Sequence, residues 1–178
     1  AFLKKHLSAT TTLPYGAQRS SAAWDKVAPH LTAALKPFFI DIVVGRHAPP
    51  TIVRLIDVTG DGNPEALVRL GDGGASTDFV ALVRLVNGKP TPLLFNDNGV
   101  SQAKYFSQGS SALHGNEIFF LPDTALYTAT WQRNAEGSLE ECFVHGYIWN
   151  AKKNSMDKNS QLSTDLDDEY CMHLRQAR

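Results

Sequence analysis

The sequence lacks a long hydrophobic run and any concentration of basic charge. Its longest apolar stretch, residues 38–44, is interrupted by Asp41 and is far shorter than the roughly 20 residues that a membrane-spanning helix needs. With 17 basic and 18 acidic residues the net charge is -1, so neither nucleic acid nor an anionic membrane is favoured as a partner. We therefore predict no membrane span and no nucleic-acid partner.

The residue patterns of common catalytic sites are missing as well. There is no Gly-x-Ser-x-Gly elbow, and Cys142 and His145, three apart on a predicted strand, would point to opposite faces. No zinc-binding spacing occurs among the six histidines, which are His6, His30, His47, His114, His145 and His173. We therefore expect a non-enzymatic protein, with a metal-assisted hydrolase as the alternative from the enzyme class.

Only two cysteines are present, Cys142 and Cys171. Their pairing would close a loop of about 30 residues and stabilise the fold by roughly 3 to 4 kcal/mol, whereas the alternative is two buried thiols. The sequence does not begin with Met and its first residues lack a full signal peptide, so we expect a processed or trimmed form of a longer chain. The predicted location is periplasmic or extracellular, where a disulfide persists.

The predicted fold is a single α+β domain over residues 1–178. Residues 1–19 are predicted to be an arm or loop. Residues 20–36 are predicted to be an amphipathic helix that packs on a sheet, because apolar side chains recur there every three or four residues. Pro29 lies inside this helix and is expected to kink it or to begin a new one.

A mainly antiparallel sheet, arranged as a meander or sandwich, is predicted over residues 38–149. Residues 38–44 are rich in β-branched and aromatic side chains and are predicted to be its first strand. Val-Arg-Leu recurs three times at a spacing of about 15 residues, which indicates a three-stranded meander, and Asn87-Gly88 indicates a tight hairpin. The Val-Arg-Leu strands and the later ones are predicted at residues 51–56, 66–70, 83–85, 89–95, 118–121, 125–132 and 139–149.

The other segments are predicted to be loops. Residues 107–116 are polar and contain glycine, and residues 150–178 are predicted to be a polar connection and tail, mobile over residues 150–168. Loops carry functional residues more often than the elements that they join. The functional surface is therefore expected near residues 97–116 and 150–168.

One stretch, residues 57–65, points to specific chemistry. Oxygen-bearing groups fall at its alternate positions, Asp57, Thr59, Asp61, Asn63 and Glu65. This alternation lets a short loop fold around one hard cation, and Ca²⁺ accepts six to eight oxygen ligands. Three carboxylates so close together would repel one another without a cation. The alternative is an ion-free hairpin turn in which Asp57 and Asp61 accept backbone N–H bonds.

The strand, loop and second strand of residues 52–70 resemble the calcium-loop hairpins of FG-GAP and VCBS-type repeats, which occur in integrin propellers and many exported bacterial proteins. The resemblance covers about a tenth of the chain. It implies that Asp57, Thr59, Asp61 and Glu65 bind Ca²⁺ through their side chains and Asn63 through its backbone carbonyl. Thr59 stands where Asp or Asn is commoner. A whole propeller is excluded because the motif occurs once, and an EF-hand is excluded because its twelfth position holds Val68.

Two further sets of side chains have a structural and a functional interpretation. Arg54, Arg69 and Arg84 would form an anion-binding row only if the strand register aligns them on one face; otherwise they are solvated beside a buried face. Five aromatic residues are predicted to pack the core of the later strands, with an exposed ligand-stacking strip as the alternative: Tyr127, Trp131, Phe143, Tyr147 and Trp149.

These observations predict an exported, non-enzymatic binding or interaction domain with a structural calcium loop and another protein as its partner. A second possibility within the binding class is a periplasmic inhibitor or immunity-type protein that blocks a toxin or hydrolase. Such proteins are small, are held by disulfides and carry no catalytic motif.

Overall fold

The computed structural model describes residues 21–40, 44–45, 47–74, 77–97, 101–110, 114–120 and 126–165. Two short helices, α1 (Ala22–Val27) and α2 (Leu31–Leu35), are joined by the 3-10 turn Ala28–His30 and followed by the 3-10 turn Lys36–Phe38. The strands within these residues are β1 (Thr51–Ile56), β2 (Glu65–Gly74), β3 (Thr77–Val86), β4 (Lys89–Pro92), β5 (Leu94–Asp97), β6 (Ser101–Ala103), β7 (Phe106–Ser110), β8 (His114–Phe120), β9 (Leu126–Arg133), β10 (Leu139–Asn150) and β11 (Ser155–Asp165).

The helical segment from Ala22 to Phe38 packs on the sheet, as predicted. It is interrupted at Pro29, which lies in the first 3-10 turn, because proline cannot continue the hydrogen-bond ladder of α1. The buried residues of this segment and of the facing strands form the helix-side cluster: Trp24, Leu31, Leu35, Phe39, Ala66, Val68, Leu70, Ala81 and Val83. The helix-side cluster covers one face of β2 and β3.

The three Val-Arg-Leu triplets lie on β1, β2 and β3, which form the predicted antiparallel meander. Side chains alternate between the two faces of these strands, so Val68 joins the helix-side cluster while Leu67 points to the opposite face. Both faces are buried, which explains why these strands are almost continuously apolar. Asn87 and Gly88 have φ angles of 52° and 74°, which confirms the predicted tight hairpin between β3 and β4.

The strand pairings, together with the direct chain link between β4 and β5, form a closed circuit. β3 pairs with β7 through residues 77–80 and with β4 through residues 83–86. From β7 the order continues through β8, β9, β10 and β11 to β5, and Leu93 alone separates β5 from β4. The pairing of β5 with β11 is parallel. The circuit therefore returns from β11 to β3 through β5 and β4, which are consecutive in the chain.

A second group of buried side chains, the inner cluster, joins strands from opposite parts of this circuit. Its members are Val58, Leu67, Val80, Leu82, Leu93, Phe95, Leu126, Tyr147 and Met156. Phe95, Phe106 and Tyr147 meet edge to face within it, with ring centroids 4.5 to 6.2 Å apart. Edge-to-face contacts of this kind are favourable because the positive edge of one ring meets the negative face of another.

Most of the predicted aromatic core is confirmed, because Tyr127, Trp131 and Tyr147 are buried and Trp149 packs partly buried on the inner cluster. Phe143 differs, since 36% of its surface is exposed. Phe143 pairs with Thr130 of β9, which is exposed, and it does not belong to the inner cluster.

The predicted strand over residues 38–44 is wrong in its described part. Phe38 ends a 3-10 turn that begins next to Pro37, and Phe39 has φ −122° and ψ 72° while its ring is buried in the helix-side cluster. Val44 and Gly45 form a turn in which Gly45 has φ 76° and donates its N–H to the carbonyl of Leu70 at 2.7 Å. These aromatic side chains are buried by the helix rather than by strand pairing. Residues 41–43 lie outside the described part of the chain.

The predicted mobile connection over residues 150–168 is also wrong, because it contains β11. The strand is polar yet ordered, since it pairs with β10 on one side and with β5 on the other. Asp157 accepts hydrogen bonds from Asn150 and Ser155, each 2.7 Å long, and Met156 is fully buried. The tail beyond residue 165 lies outside the described residues.

The predicted loop over residues 107–116 is replaced in part by β7 and β8. These strands are joined to their neighbours by backbone hydrogen bonds, which do not require apolar side chains. The intervening residues 111–113 are not among those described. Two of the segments expected to form the functional surface, 97–116 and 150–168, are therefore largely sheet where they are described.

Candidate functional site

The loop of residues 57–64 connects β1 to β2 and is held at its base by the pair Ile56 and Glu65. Gly60 and Gly62 have φ angles of 73° and 85°, as the tight wrap requires. A Cβ atom at either glycine would meet nothing within 4 Å, so glycine is needed there for its backbone conformation and not for space. Val58 anchors the loop by burying its side chain in the inner cluster.

Asp57 folds the loop back on itself. Its Oδ1 accepts the N–H of Gly60 at 2.7 Å, and its Oδ2 accepts the N–H of Gly62 at 2.8 Å. The hydroxyl group of Thr59 lies 3.4 Å from the same Oδ1. The two bonds from backbone N–H groups to Asp57 are those expected of the ion-free hairpin turn. Each carboxylate oxygen nevertheless has two lone pairs and can accept a second ligand.

Glu65 is the most buried charged side chain of the loop, with only 2% of its surface exposed. Its Oε2 accepts the backbone N–H groups of Val58 at 3.0 Å and Thr59 at 3.3 Å, while its Oε1 lies 3.4 Å from the Thr59 hydroxyl group. Burial raises the pKa of Glu65 above its ordinary value, because desolvation of the carboxylate outweighs the two backbone hydrogen bonds. Glu65, Thr59 and Asp57 thus converge inside the loop.

Asp61 makes a second set of contacts in the loop. Its Oδ1 accepts the N–H of Asn63 at 2.8 Å, and its Oδ2 lies 3.4 Å from Nη2 of Arg84. The hydrogen bond from the backbone of Asn63 is the largest influence that holds the pKa of Asp61 below its ordinary value, and the charge of Arg84 acts in the same direction. The recorded ion-pair partner of Asp61 is therefore an arginine of β3.

The five predicted ligands are only partly brought together. Asp57, Thr59 and Glu65 converge, whereas Asp61 pairs with Arg84 and Asn63 contributes its N–H to Asp61. Within the described part of the chain, no group of three or more His, Cys, Asp or Glu side chains is arranged to hold a metal ion. A cation with the full predicted ligand set would compete with Arg84 for the carboxylate of Asp61.

Arg84 connects the loop to two other hairpins. Besides Asp61, it lies 3.3 Å from Oδ1 of Asn154 in the turn between β10 and β11, and its guanidinium carbon is 5.2 Å from the ring centre of Trp149. Its Nε atom is buried and has no hydrogen-bond partner among the described residues. This cation–π contact and the two polar contacts hold three loops at one end of the sheet.

A cavity of about 310 Å³ lies beside the loop, lined by Trp24, Asp61, Glu65 and Arg84 among other residues. Trp24 of α1 closes one side of it and donates its Nε1–H to the carbonyl of Pro64 at 2.8 Å. The helical pattern of residues 20–36 buries Trp24, and the Val-Arg-Leu repeat places Arg84 on a strand, but neither pattern connects these residues with the loop. Helical period and strand pattern carry no signal for contacts between elements so distant along the chain.

The strand register places the three arginines on the same face of β1, β2 and β3, but in no directly opposed pair. Arg54 lies opposite Leu67, Arg69 opposite Thr51 and Val80, and Arg84 opposite Thr91. No two of these three arginines are cross-strand partners, and Arg69 forms an ion pair with Asp78 at 2.7 Å. Asp78 and Asp61 thus pair with Arg69 and Arg84, and the anion-binding row stays a prediction.

Cys142 is buried on β10 and is not a free thiol. Its predicted partner, Cys171, lies outside the described residues, so the pairing of Cys142 with Cys171 stays a prediction. His145 lies opposite Thr128, whereas Cys142 lies opposite Trp131, three pairs further along β9. The alternation of a strand then directs the two side chains to opposite faces of β10, as predicted.

No helix of the described residues is long and apolar enough to cross a membrane. No protein-family model, curated protein or solved structure matches the chain. The similarity of residues 52–70 to FG-GAP and VCBS-type hairpins accordingly stays a resemblance of that stretch alone.

Proposed function

We propose that this chain is an exported, non-enzymatic binding domain that engages another protein and whose loop of residues 57–65 takes up one Ca²⁺ ion in a structural role. The observation that carries the proposal is the buried carboxylate of Glu65, which meets the oxygens of Thr59 and Asp57 inside the loop. A buried carboxylate needs either a proton or a cation to offset the cost of its desolvation.

The chemistry of the loop suits calcium. Its donors are oxygens, and Ca²⁺ binds oxygen ligands in flexible geometries, in which one carboxylate can also keep its backbone hydrogen bonds. Asp57 and Glu65 together would neutralise a divalent cation, and Asp61 would add a third carboxylate on leaving Arg84. The ion would stiffen the β1–β2 hairpin, while Arg84 would keep its contacts with Asn154 and Trp149.

The proposed protein-binding surface is the end of the sheet where three hairpins meet. It comprises residues 57–64, the turn at Asn87 and Gly88, and residues 151–154, which Arg84 connects. Val86 lies beside this turn with 41% of its surface exposed, which is unusual for a large apolar side chain. A rigid loop loses little conformational entropy on binding, so a structural ion supports an interface there.

Export is supported by Cys142, which is buried and not a free thiol, because disulfides persist in oxidising compartments. The proposal also includes a sandwich arrangement. In it, β1–β3 and β8–β11 face each other across the inner cluster, to which both groups contribute side chains.

Calcium is expected to raise the melting temperature of the domain by about 5 to 10 °C over a chelator. This follows because ligand at about 100 times its Kd stabilises by roughly 2.7 kcal/mol, and 1 kcal/mol shifts the melting temperature by about 2 to 4 °C at this size. Glu65→Gln is expected to abolish the shift. The matched control is Glu136→Gln, an exposed glutamate in the β9–β10 turn, which keeps it. Equal melting temperatures of the native chain in calcium and chelator would refute the metal site.

A pH series without calcium tests the buried state of Glu65. Because its pKa is raised on folding, the folded chain retains this proton to a higher pH than the unfolded chain does. The free energy of unfolding due to Glu65 therefore falls as the pH rises from the ordinary carboxyl range through the raised pKa. Glutamine does not titrate, so Glu65→Gln lacks this pH dependence. Asp57, Asp61 and Arg84 are present in the native chain and in the variant, so the difference in unfolding free energy between the two reports on Glu65.

We expect Glu65→Gln to gain stability relative to the native chain across that pH window, as measured by urea unfolding in chelator. At neutral pH the variant is expected to be at least as stable as the native chain. A difference that does not change with pH, or that grows in favour of the native chain, contradicts the raised pKa.

A further inference from the structure

A large cavity among the described residues lies away from the calcium loop. It has a volume of about 740 Å³ and lies between the segment of residues 38–40, the start of β7, and strands β8, β9 and β10. Sites for small organic ligands typically have volumes of roughly 300 to 1,000 Å³ and often occur at the mouths of closed sheets. The size and place of this cavity therefore fit a ligand site.

The strands that line the cavity change character along one face. Leu126 and Tyr147 are cross-strand partners in the inner cluster, and two positions further along the same face are Thr128 and His145, also partners. The next position on this face of β9 is Thr130, which lies opposite Asn116 of β8. On β9 this face thus turns from apolar to polar where the inner cluster ends, while Ile118 of β8 and Phe143 of β10 lie beside it as apolar neighbours.

Thr128 is the polar residue deepest in this face, with 9% of its surface exposed. The structure records no hydrogen bond from its hydroxyl group to another described side chain or carbonyl. The hydroxyl group is therefore available to donate a hydrogen bond to, or accept one from, a polar atom of a molecule in the cavity.

The opposite side of the cavity is aromatic. Phe38, Phe39, Tyr105 and Phe106 line it, and Tyr105 meets Phe39 edge to face with ring centres 6.1 Å apart. Ile40 lines the same cavity with 87% of its surface exposed, which leaves a large apolar side chain in water. Aromatic and aliphatic surfaces of this kind bind a ring system.

The charges of the lining residues favour an anion. Lys104 is exposed, and its Nζ lies 3.4 Å from the carbonyl oxygen of Phe38. The described residues that line the cavity include no carboxylate. A cationic ligand would find no opposite charge there, whereas an acidic group would meet the ammonium group of Lys104.

We propose that this cavity binds a ring-containing organic anion, with its ring between Phe106 and the polar face, its acidic group at Lys104 and a polar atom at Thr128. The site is separate from the calcium loop and adds a small-molecule ligand to the proposed protein partner. Its occupation does not depend on Ca²⁺, so its test is made in chelator and stands apart from the test of the metal site.

The test uses anilinonaphthalene sulfonate, an aromatic anion whose fluorescence rises in apolar surroundings, and uncharged N-phenyl-naphthylamine as its neutral counterpart. We expect saturable binding of the anion at one site per chain. Lys104→Glu is expected to weaken binding of the anionic probe at least tenfold and binding of the neutral probe less than threefold. Lys89→Glu, which makes the same charge change on exposed β4, is expected to leave both affinities unchanged.

Thr128→Leu fills the cavity and removes its hydroxyl group, so both probes are expected to bind at least tenfold more weakly. Each variant is compared only where it melts cooperatively, since partly unfolded chains bind such dyes unspecifically. If Thr128→Leu does not melt cooperatively, Asn116→Leu, a half-buried position on the same face, takes its place. Absence of saturable binding, or equal affinities of the native chain and the filled variant, overturns the site. If Lys104→Glu reduces the affinity for both probes by the same factor, the preference for an anion is overturned.

Discussion

Replacement of Trp24 by alanine is expected to lower the free energy of unfolding by about 3 to 5 kcal/mol, the range measured for large aromatic side chains removed from cores. Trp24 is 1% exposed and is the part of α1 that enters the helix-side cluster. It also donates the hydrogen bond to the carbonyl of Pro64, which ties the helix to the end of the calcium loop. Urea unfolding followed by far-ultraviolet circular dichroism measures the loss.

A second variant separates packing from the hydrogen bond. Trp24→Phe keeps an aromatic ring in the cluster but lacks the indole N–H, so its loss is expected to be smaller, with about 1 kcal/mol of it due to the missing bond. Because the carbonyl of Pro64 is then released from α1, we expect both variants to bind Ca²⁺ more weakly than the native chain. Thr32→Ala, an exposed position on α2, is the control and is expected to change neither quantity. A loss under 1 kcal/mol in Trp24→Ala would show that α1 is not essential to the core.

Gly115→Ala is expected to destabilise the domain by about 3 kcal/mol, at the upper end of the usual cost of overpacking. A Cβ atom at Gly115 would lie 2.0 Å from Cζ2 of Trp131, well inside the contact distance of two carbon atoms. Trp131 is 1% exposed and its strand, β9, pairs on both sides, so neither the ring nor the backbone can withdraw cheaply. Thermal and urea unfolding of the purified variant measure the effect.

A double-mutant cycle identifies the cause of that loss. Trp131→Leu makes room at Gly115, so Gly115→Ala is expected to cost less in the Trp131→Leu background than in the native one, by more than 1 kcal/mol. If the cost of Gly115→Ala is the same in both backgrounds, the contact with Trp131 is not its source.

Local patterns in the sequence predict those parts of the fold that local physics decides. The helical period places Trp24 and Leu31 on the buried face, and Pro29 interrupts the helix where it is expected to. Three apolar runs give β1, β2 and β3, since strands buried on both faces must be apolar throughout. Asn87-Gly88 closes a hairpin because both residues tolerate positive φ.

The sequence misleads where tertiary contacts override composition. β11 is polar, and its order comes from backbone pairing with two strands rather than from an apolar pattern. Conversely, Phe38 and Phe39 have strand-like composition, but Pro37 begins a 3-10 turn and the helix buries the ring of Phe39. In both segments the partner element lies far along the chain, and local propensity carries no information about it.

The candidate site divides in the same way. The glycines of the loop and the inward direction of Asp57, Thr59 and Glu65 follow from a short motif. The ion pair of Asp61 with Arg84 does not, because it depends on the register of β3 against β2. A shift of the β3 register by one residue would move Arg84 to the face that the helix covers, and Asp61 would lose its ion pair.

The closed circuit of strands has a consequence for the order of folding. The parallel pair that completes it joins residues 94–96 of β5 to residues 155–157 of β11, which are about 60 positions apart. Every other pairing of the circuit joins strands that are closer in sequence, so those hairpins can form while β5 still lacks its neighbour. Pairing of β5 with β11 is then the late step, because bringing them together costs conformational entropy before burial of the inner cluster offsets that cost. Phe95 and Met156 are cross-strand partners in that pair and are buried together in the inner cluster, so the core of this domain is complete only after β11 has been made and has joined β5.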